Sequence, residues 1–185
     1  MSAPTRVVST VGPVLIIGSG LLGASLGLAL RAGGVRVYLE DASPTSLRLA
    51  SDVGAGVAFG DAIDEAGVAY ADAGTDAPGY EAPRIVVVAT PPDVADRVIV
   101  DSLLRFPGAI VTDVASVKDA VVADVLATLE ERGLEDAACR YVGSHPMAGR
   151  ERSGAGAADA DLFYGRPWVI VAHETTWPRA LLAAR

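Results

Sequence analysis

VLIIGSGLLGASLGLAL, residues 14–30, is the stretch whose reading decides the fold. Two readings compete. No charge falls between Arg6 and Arg31, and a bilayer-spanning helix needs about 20 mostly apolar residues. A membrane segment, or the apolar part of a signal peptide, would look like this. Against that stand Gly12, Pro13, Gly18, Gly20, Gly23 and Gly27, which make a poor helix core. The alternative splits the stretch in three. Val14–Ile17 is a buried strand, Gly18 to Gly23 is a G-x-G-x-x-G turn, and Leu21–Arg31 is a helix closing near Gly33-Gly34.

The flanking sequence favours the second reading, because the same alternation continues. Val35–Leu39 is a second strand ending on Glu40-Asp41. Ser43-Pro44 starts a helix, with Ser as cap and Pro in the first helical position. A short strand is expected at Val57–Phe59 and a helix after Asp61. The Gly/Pro/Asp-rich run from Ala71 to Pro83 reads as a surface loop. A strand over Arg84–Thr90, a helix from Pro91-Pro92 to about Leu104, a strand over Ala109–Asp113, a helix over Lys118–Arg132 and a strand over Arg140–Gly143, running into Ser144-His145-Pro146, follow. Gly149–Asp161 is a small-residue loop, Trp168–Ala172 a last strand, and Thr176 with Pro178 opens one more helix. Strand and helix in turn predict a doubly wound α/β domain of Rossmann type with a mostly parallel sheet. Runs such as Ile85-Val86-Val87-Val88 suit strands covered on both faces.

Composition narrows the function. The chain has 185 residues, 51% of them hydrophobic, enough for one ordinary domain with a core. A formal net charge of −8 argues against a nucleic-acid surface. Cys139 is the single cysteine, so neither an intrachain disulfide nor a cysteine metal cluster is expected, which fits the cytoplasm.

Three motifs carry chemistry, each at a strand end. In the glycine turn, Gly18 permits the bend, Gly20 gives a pyrophosphate access to the backbone, and Gly23 allows close packing. The N-terminus of the following helix, with Leu21 and Leu22, faces the phosphate charge. Asp41, 18 residues past Gly23, is placed to accept from ribose hydroxyls and to repel a 2′-phosphate, which favours NAD over NADP. Glu40 competes for that role. Thr90 and Pro91 end the strongest strand and either floor the crevice or form a rigid turn. Ser116 and Lys118 follow the Ala109–Asp113 strand. Ser116 meets substrate or caps the next helix, Lys118 meets substrate or is solvated, and Asp113 is a cap or turn residue. His145 lies in Gly143-Ser144-His145-Pro146-Met147-Ala148-Gly149. An imidazole there suits acceptance of an alcohol proton during hydride transfer. His173 has no comparable setting.

Together the glycine turn, Thr112-Asp113-Val114-x-Ser116-Val117-Lys118 and the His-Pro-Met-Ala-Gly block resemble the prephenate/arogenate dehydrogenase family of tyrosine biosynthesis. Glu151-x-Ser153-Gly154 and Leu162-Phe163-x-Gly165-x-x-Trp168 extend the likeness. The resemblance implies NAD-dependent oxidative decarboxylation of prephenate. His145 would take the hydroxyl proton, Ser116 would orient that hydroxyl, and Glu151 would sit near the site entrance. It also implies a following all-helical domain that builds a dimer and binds substrate carboxylates. Residues 1–172 would then be the NAD-binding domain, and 173–185 a linker and the start of that helical domain, the rest of which is absent. Ala115 stands where the family often has Gly. Arogenate dehydrogenase, an NAD-binding module without efficient catalysis, another NAD-dependent dehydrogenase and a membrane-anchored protein are the alternatives.

Overall fold

The computed structural model describes residues 10–59, 81–149 and 153–184. Its order is β1 (Val14–Ile17), α1 (Leu21–Ala32), β2 (Val37–Glu40), α2 (Pro44–Asp52), β3 (Val57–Ala58), β4 (Ile85–Val88), α3 (Pro92–Arg105), β5 (Ile110–Asp113), α4 (Lys118–Glu131), α5 (Glu135–Ala138), β6 (Tyr141–Pro146), β7 (Trp168–Val171) and α6 (Pro178–Ala183). The strands form one sheet in the order β3-β2-β1-β4-β5-β6-β7. All pairings are parallel except β6 with β7, which is antiparallel. The order reverses between β1 and β4, so the crevice for a ligand opens there, beyond the strand C-termini.

The apolar character of residues 14–30 follows from this placement. β1 is an interior strand of the sheet, and Val14, Leu15 and Ile16 are each 0% exposed. Alternate residues face opposite layers. Leu15 joins Val86, Val88 and Val111 under α3 and α4, whose Ile99, Leu103, Val121 and Val125 complete that core. Val14 and Ile16 join Val37, Leu39, Ile85 and Val87 under α1 and α2, with Ala24, Leu30 and Ala50. Each fully buried aliphatic side chain contributes about 1.5–3 kcal/mol, so a strand covered on both faces favours an unbroken apolar run. No helix among the described residues is long and apolar enough to cross a membrane.

Helix ends are settled locally. Ser43 caps α2, its side chain accepting from the Ser46 amide at 3.3 Å. α3 ends under Arg140, which donates to the carbonyls of Leu103 at 2.7 Å, Phe106 at 3.1 Å and Ala109 at 3.2 Å. These include last-turn carbonyls that have no partner inside a helix.

Several expectations are corrected. α6 is capped by Trp177, not Thr176, and Pro178 is its first residue. The Thr176 hydroxyl instead accepts from the His173 amide at 3.0 Å. α6, in the segment read as a linker, packs on the sheet through Ala180 against Ile110 and Val142. The four-residue α5 was not anticipated. β6 runs through His145 to Pro146, because β7 pairs back along it from Gly143↔Val171 to Pro146↔Trp168. Within the small-residue loop, Ala155–Ala157 form a 3-10 turn. The helix expected after Asp61 and most of the Ala71–Pro83 loop lie outside the described residues.

Candidate active site

The glycine turn is built by what its residues lack. Gly18 has φ of +103°, and a Cβ there would stand 2.5 Å from the Ala89 carbonyl oxygen. Only glycine adopts that backbone without strain. A Cβ on Gly23 would run into the Gly18 carbonyl oxygen. Gly20 differs, for a Cβ there would meet nothing within 4 Å. Its missing side chain leaves open space over the first turn of α1. That turn holds no acidic residue, so its free amides and positive dipole end stay available to an anion.

Asp41 ties this turn to the next strand. One carboxylate oxygen accepts from the Ser19 amide at 2.6 Å, the other from the Ser43 amide at 2.8 Å. A carboxylate has about four acceptor positions, so further hydrogen bonds remain possible. Glu40 is committed elsewhere, to Arg105 at 2.7 Å. These residues line a cavity of about 950 Å³ with Gly18, Gly20, Leu21, Leu22, Thr90, Pro91, Val94 and Val98. The expected cofactor residues are thus brought together, with Gly23 buried behind them. The Thr90 hydroxyl oxygen is buried and has no hydrogen-bond partner, which a polar ligand in the cavity would remedy. Open space at Gly20, bare helix amides and a carboxylate at the end of the neighbouring strand suit the pyrophosphate and ribose of a dinucleotide.

The second half of the site stands at the ends of β5 and β6. Here Asp113 is wholly buried. Its carboxylate accepts from the Ala115 amide at 2.9 Å and the Tyr141 hydroxyl at 2.8 Å, and pairs with the Lys118 ammonium. Its carbonyl accepts from the Ser144 hydroxyl at 2.6 Å. Asp113 is therefore a hub joining β5, β6 and α4, rather than a simple cap or turn residue. Burial pushes the Tyr141 phenol up. Burial also pushes the Lys118 ammonium down to about 8, and the adjoining carboxylate opposes that push.

Lys118 corrects the reading of a cation offered to solvent or substrate. It is 9% exposed and spent on Asp113. It is also the only lysine in a chain with 15 basic residues, which was the overlooked signal. An arginine fork is bulkier than a compact ammonium, and Gly143 leaves little spare room, since a Cβ there would lie 3.3 Å from the Lys118 stem.

Ser116 is exposed between β5 and α4. It is not the helix cap; Val117 holds that position without a side-chain bond. His145 is partly buried in β6, and its Nδ1 is buried with no hydrogen-bond partner. Among the described residues no hydrogen bond joins Ser116 to His145. They share only the C-terminal edge of neighbouring strands, registered by Asp113↔Gly143. His173 is placed away from this edge, stacked on Tyr141 with centroids 6.2 Å apart. Glu151 lies outside the described residues. Among the described residues no His/Cys/Asp/Glu group could hold a metal ion.

A glycine turn feeding a helix N-terminus, a carboxylate closing the next strand, and polar side chains at two further strand ends define a dinucleotide-binding domain of the dehydrogenase class. Comparison with known proteins narrows the class. The family described as prephenate dehydrogenase, nucleotide-binding domain, matches residues 26–185, and the chain belongs to it. A probable prephenate dehydrogenase of Streptomyces niveus, NovF, is 40% identical over 157 residues, covering 85% of this chain and 37% of that protein. Prephenate dehydrogenase from Aquifex aeolicus, in complex with hydroxyphenyl propionate and NAD+, has a similar structure, with a TM-score of 0.69. It is 27% identical, over 91% of this chain and 53% of that one. Synechocystis arogenate dehydrogenase gives the same TM-score, 0.69, at 26% identity over the same shares, 91% and 53%. The chain thus spans between about a third and just over half the length of these relatives.

Proposed function

We propose that this chain is the cofactor-binding part of an NAD-dependent prephenate dehydrogenase, which oxidatively decarboxylates prephenate to 4-hydroxyphenylpyruvate. One observation carries the reading. The cavity of about 950 Å³ at the glycine turn has its unpartnered Thr90 hydroxyl, while His145 holds a buried, unpartnered Nδ1 at a strand end on the same edge of the sheet. NAD+, when bound, supplies the hydride acceptor. Gly18, Gly20, Leu21 and Leu22 would hold the pyrophosphate, with Gly23 packed behind them, Asp41 would hold the adenosine ribose, and Thr90 and Pro91 would floor the site.

The protein's part in the reaction is to place and deprotonate the substrate. Ser116 orients the ring hydroxyl, and His145 accepts its proton. The carbon bearing that hydroxyl gives up hydride, the ring carboxylate leaves as carbon dioxide, the electrons of the broken bond complete the aromatic ring, and the proton returns to the ring oxygen to give the phenol. Lys118 acts through Asp113 and does not touch substrate. Cationic groups for the substrate carboxylates, and a dimer, belong to a helical domain as in the family resemblance, and the enzyme works in the cytoplasm.

Arogenate is the second reading, favoured by the equal likeness to the Synechocystis enzyme. The two substrates differ in a side-chain keto or amino group. An assay with each substrate and NAD+ separates them. His145→Asn should lower turnover by about 10²–10⁴-fold, the usual contribution of a proton-transfer group, while NAD+ binding survives. Unchanged turnover in this variant would remove His145 from the mechanism. Saturable NAD+ binding with no turnover of either substrate would leave a binding module.

A further inference from the structure

We infer that the Glu40–Arg105 ion pair sets the cofactor specificity of the cavity: it masks the one cation placed to receive a 2′-phosphate. The inference rests on the cofactor reading above and adds to Asp41 a second element that discriminates against a 2′-phosphate.

Glu40 and Asp41 are consecutive at the end of β2, and both line the cavity. Arg105, from the last turn of α3, reaches the same cavity. Its Nη1 donates to both Glu40 carboxylate oxygens, at 2.9 and 2.7 Å. Its guanidinium also lies over two aromatic rings, 5.1 Å from the Phe59 centroid and 4.9 Å from that of Phe106. Both rings are buried and pack edge to face, 5.9 Å apart. The cation is therefore held from below by a rigid aromatic floor and from the side by Glu40.

Such a pair is not explained by stability. Its side chains are 44% and 36% exposed, and ion pairs so open to water contribute little. Its position matters more. Among the described residues lining the cavity, Arg105 is the single cation, against the acidic side chains of Glu40, Asp41 and Asp101. With Arg105 neutralised by Glu40, the remaining lining is acidic. A phosphate monoester carries about −1.5 to −2 near neutral pH and is repelled there, whereas a ribose hydroxyl pair is not. Replacing Glu40 by a neutral residue removes one negative charge. It also frees a planar donor fork, still seated on its aromatic floor, of the kind that binds phosphate in bidentate fashion.

The test is equilibrium binding of NAD+ and NADP+ by calorimetry to the parent chain, Glu40→Gln, and Glu40→Gln combined with Arg105→Leu. Thermal melts check folding. The parent should prefer NAD+. Glu40→Gln should shift the NADP+ to NAD+ affinity ratio at least tenfold toward NADP+, and the added Arg105→Leu should reverse most of that shift. If Glu40→Gln does not fold, Glu40→Asp, one methylene shorter, loosens the pair and should move the ratio in the same direction. A ratio that stays put, or a shift that survives loss of Arg105, overturns the inference while NAD+ binding by the parent upholds the cofactor reading. A parent that binds neither nucleotide overturns both.

Discussion

The two ends of the site are built in opposite ways. At the β1–α1 end, the site is made of backbone and empty space: a positive φ at Gly18, a close approach at Gly23, and nothing where the Gly20 side chain would be. At the β5–β6 end it is made of side chains wired to one buried carboxylate, Asp113, which holds Ala115, Lys118 and Tyr141. The first end is specified by what must be absent, the second by which groups must find each other. They should fail differently.

The largest effect is expected at the wired end. Asp113→Ala leaves the buried Lys118 ammonium uncompensated, and breaking such a pair costs about 3–5 kcal/mol. Denaturant unfolding should show that loss. A loss below about 1 kcal/mol would mean that Asp113 is not the hub. At the glycine end, Gly23→Ala forces a methyl group against the Gly18 carbonyl. Overpacking of this kind costs about 1–3 kcal/mol, and NAD+ affinity should fall with it, because the same turn holds the phosphates. Retained stability and affinity would show that the turn can widen.

Removing the Ser43 cap by Ser43→Ala should cost about 1 kcal/mol. Its amide bond to Asp41 is kept, so NAD+ affinity should change little, and a large loss of affinity would tie α2 to the site more closely than the geometry suggests. The smallest effect is the pH dependence of Lys118. Its folded pKa of about 8 lies below its ordinary 10.5, so above about pH 8 the unfolded chain binds more protons there than the folded one. Stability from this group therefore rises with pH. Tyr141, pushed up from 10.0, acts in the opposite sense above about pH 10. Between pH 8 and 10 the parent chain should gain stability relative to Lys118→Met, and a flat difference would place Lys118 in water.

The contrast also explains what was legible in the sequence. The order of strands and helices, the glycine turn, the Ser43 cap and Asp41 all rest on local rules: periodicity, turn chemistry and a fixed spacing. They could be read residue by residue. The Asp113 hub could not, because its partners come from three elements and meet only when β6 pairs beside β5. Nor could the Glu40–Arg105 pair, which spans 65 positions of the chain. The reach of β6 through His145 depends on its antiparallel pairing with β7, a pairing that no local pattern announces. The position of Lys118 past a strand end suggests openness, whereas its pairing with the buried Asp113 draws it inward.

The central claim is that the glycine end is a dinucleotide site that works independently of His145. It is tested most directly by titrating NAD+ into the parent chain, Gly20→Val and His145→Asn. Gly20 has φ of −70° and open space beyond it, so valine fits the backbone and fills only the room reserved for a ligand. The account predicts saturable binding to the parent, at least tenfold weaker binding to Gly20→Val, and near-parent binding to His145→Asn. Equal affinity in the parent and Gly20→Val, or no saturable binding at all, would contradict it.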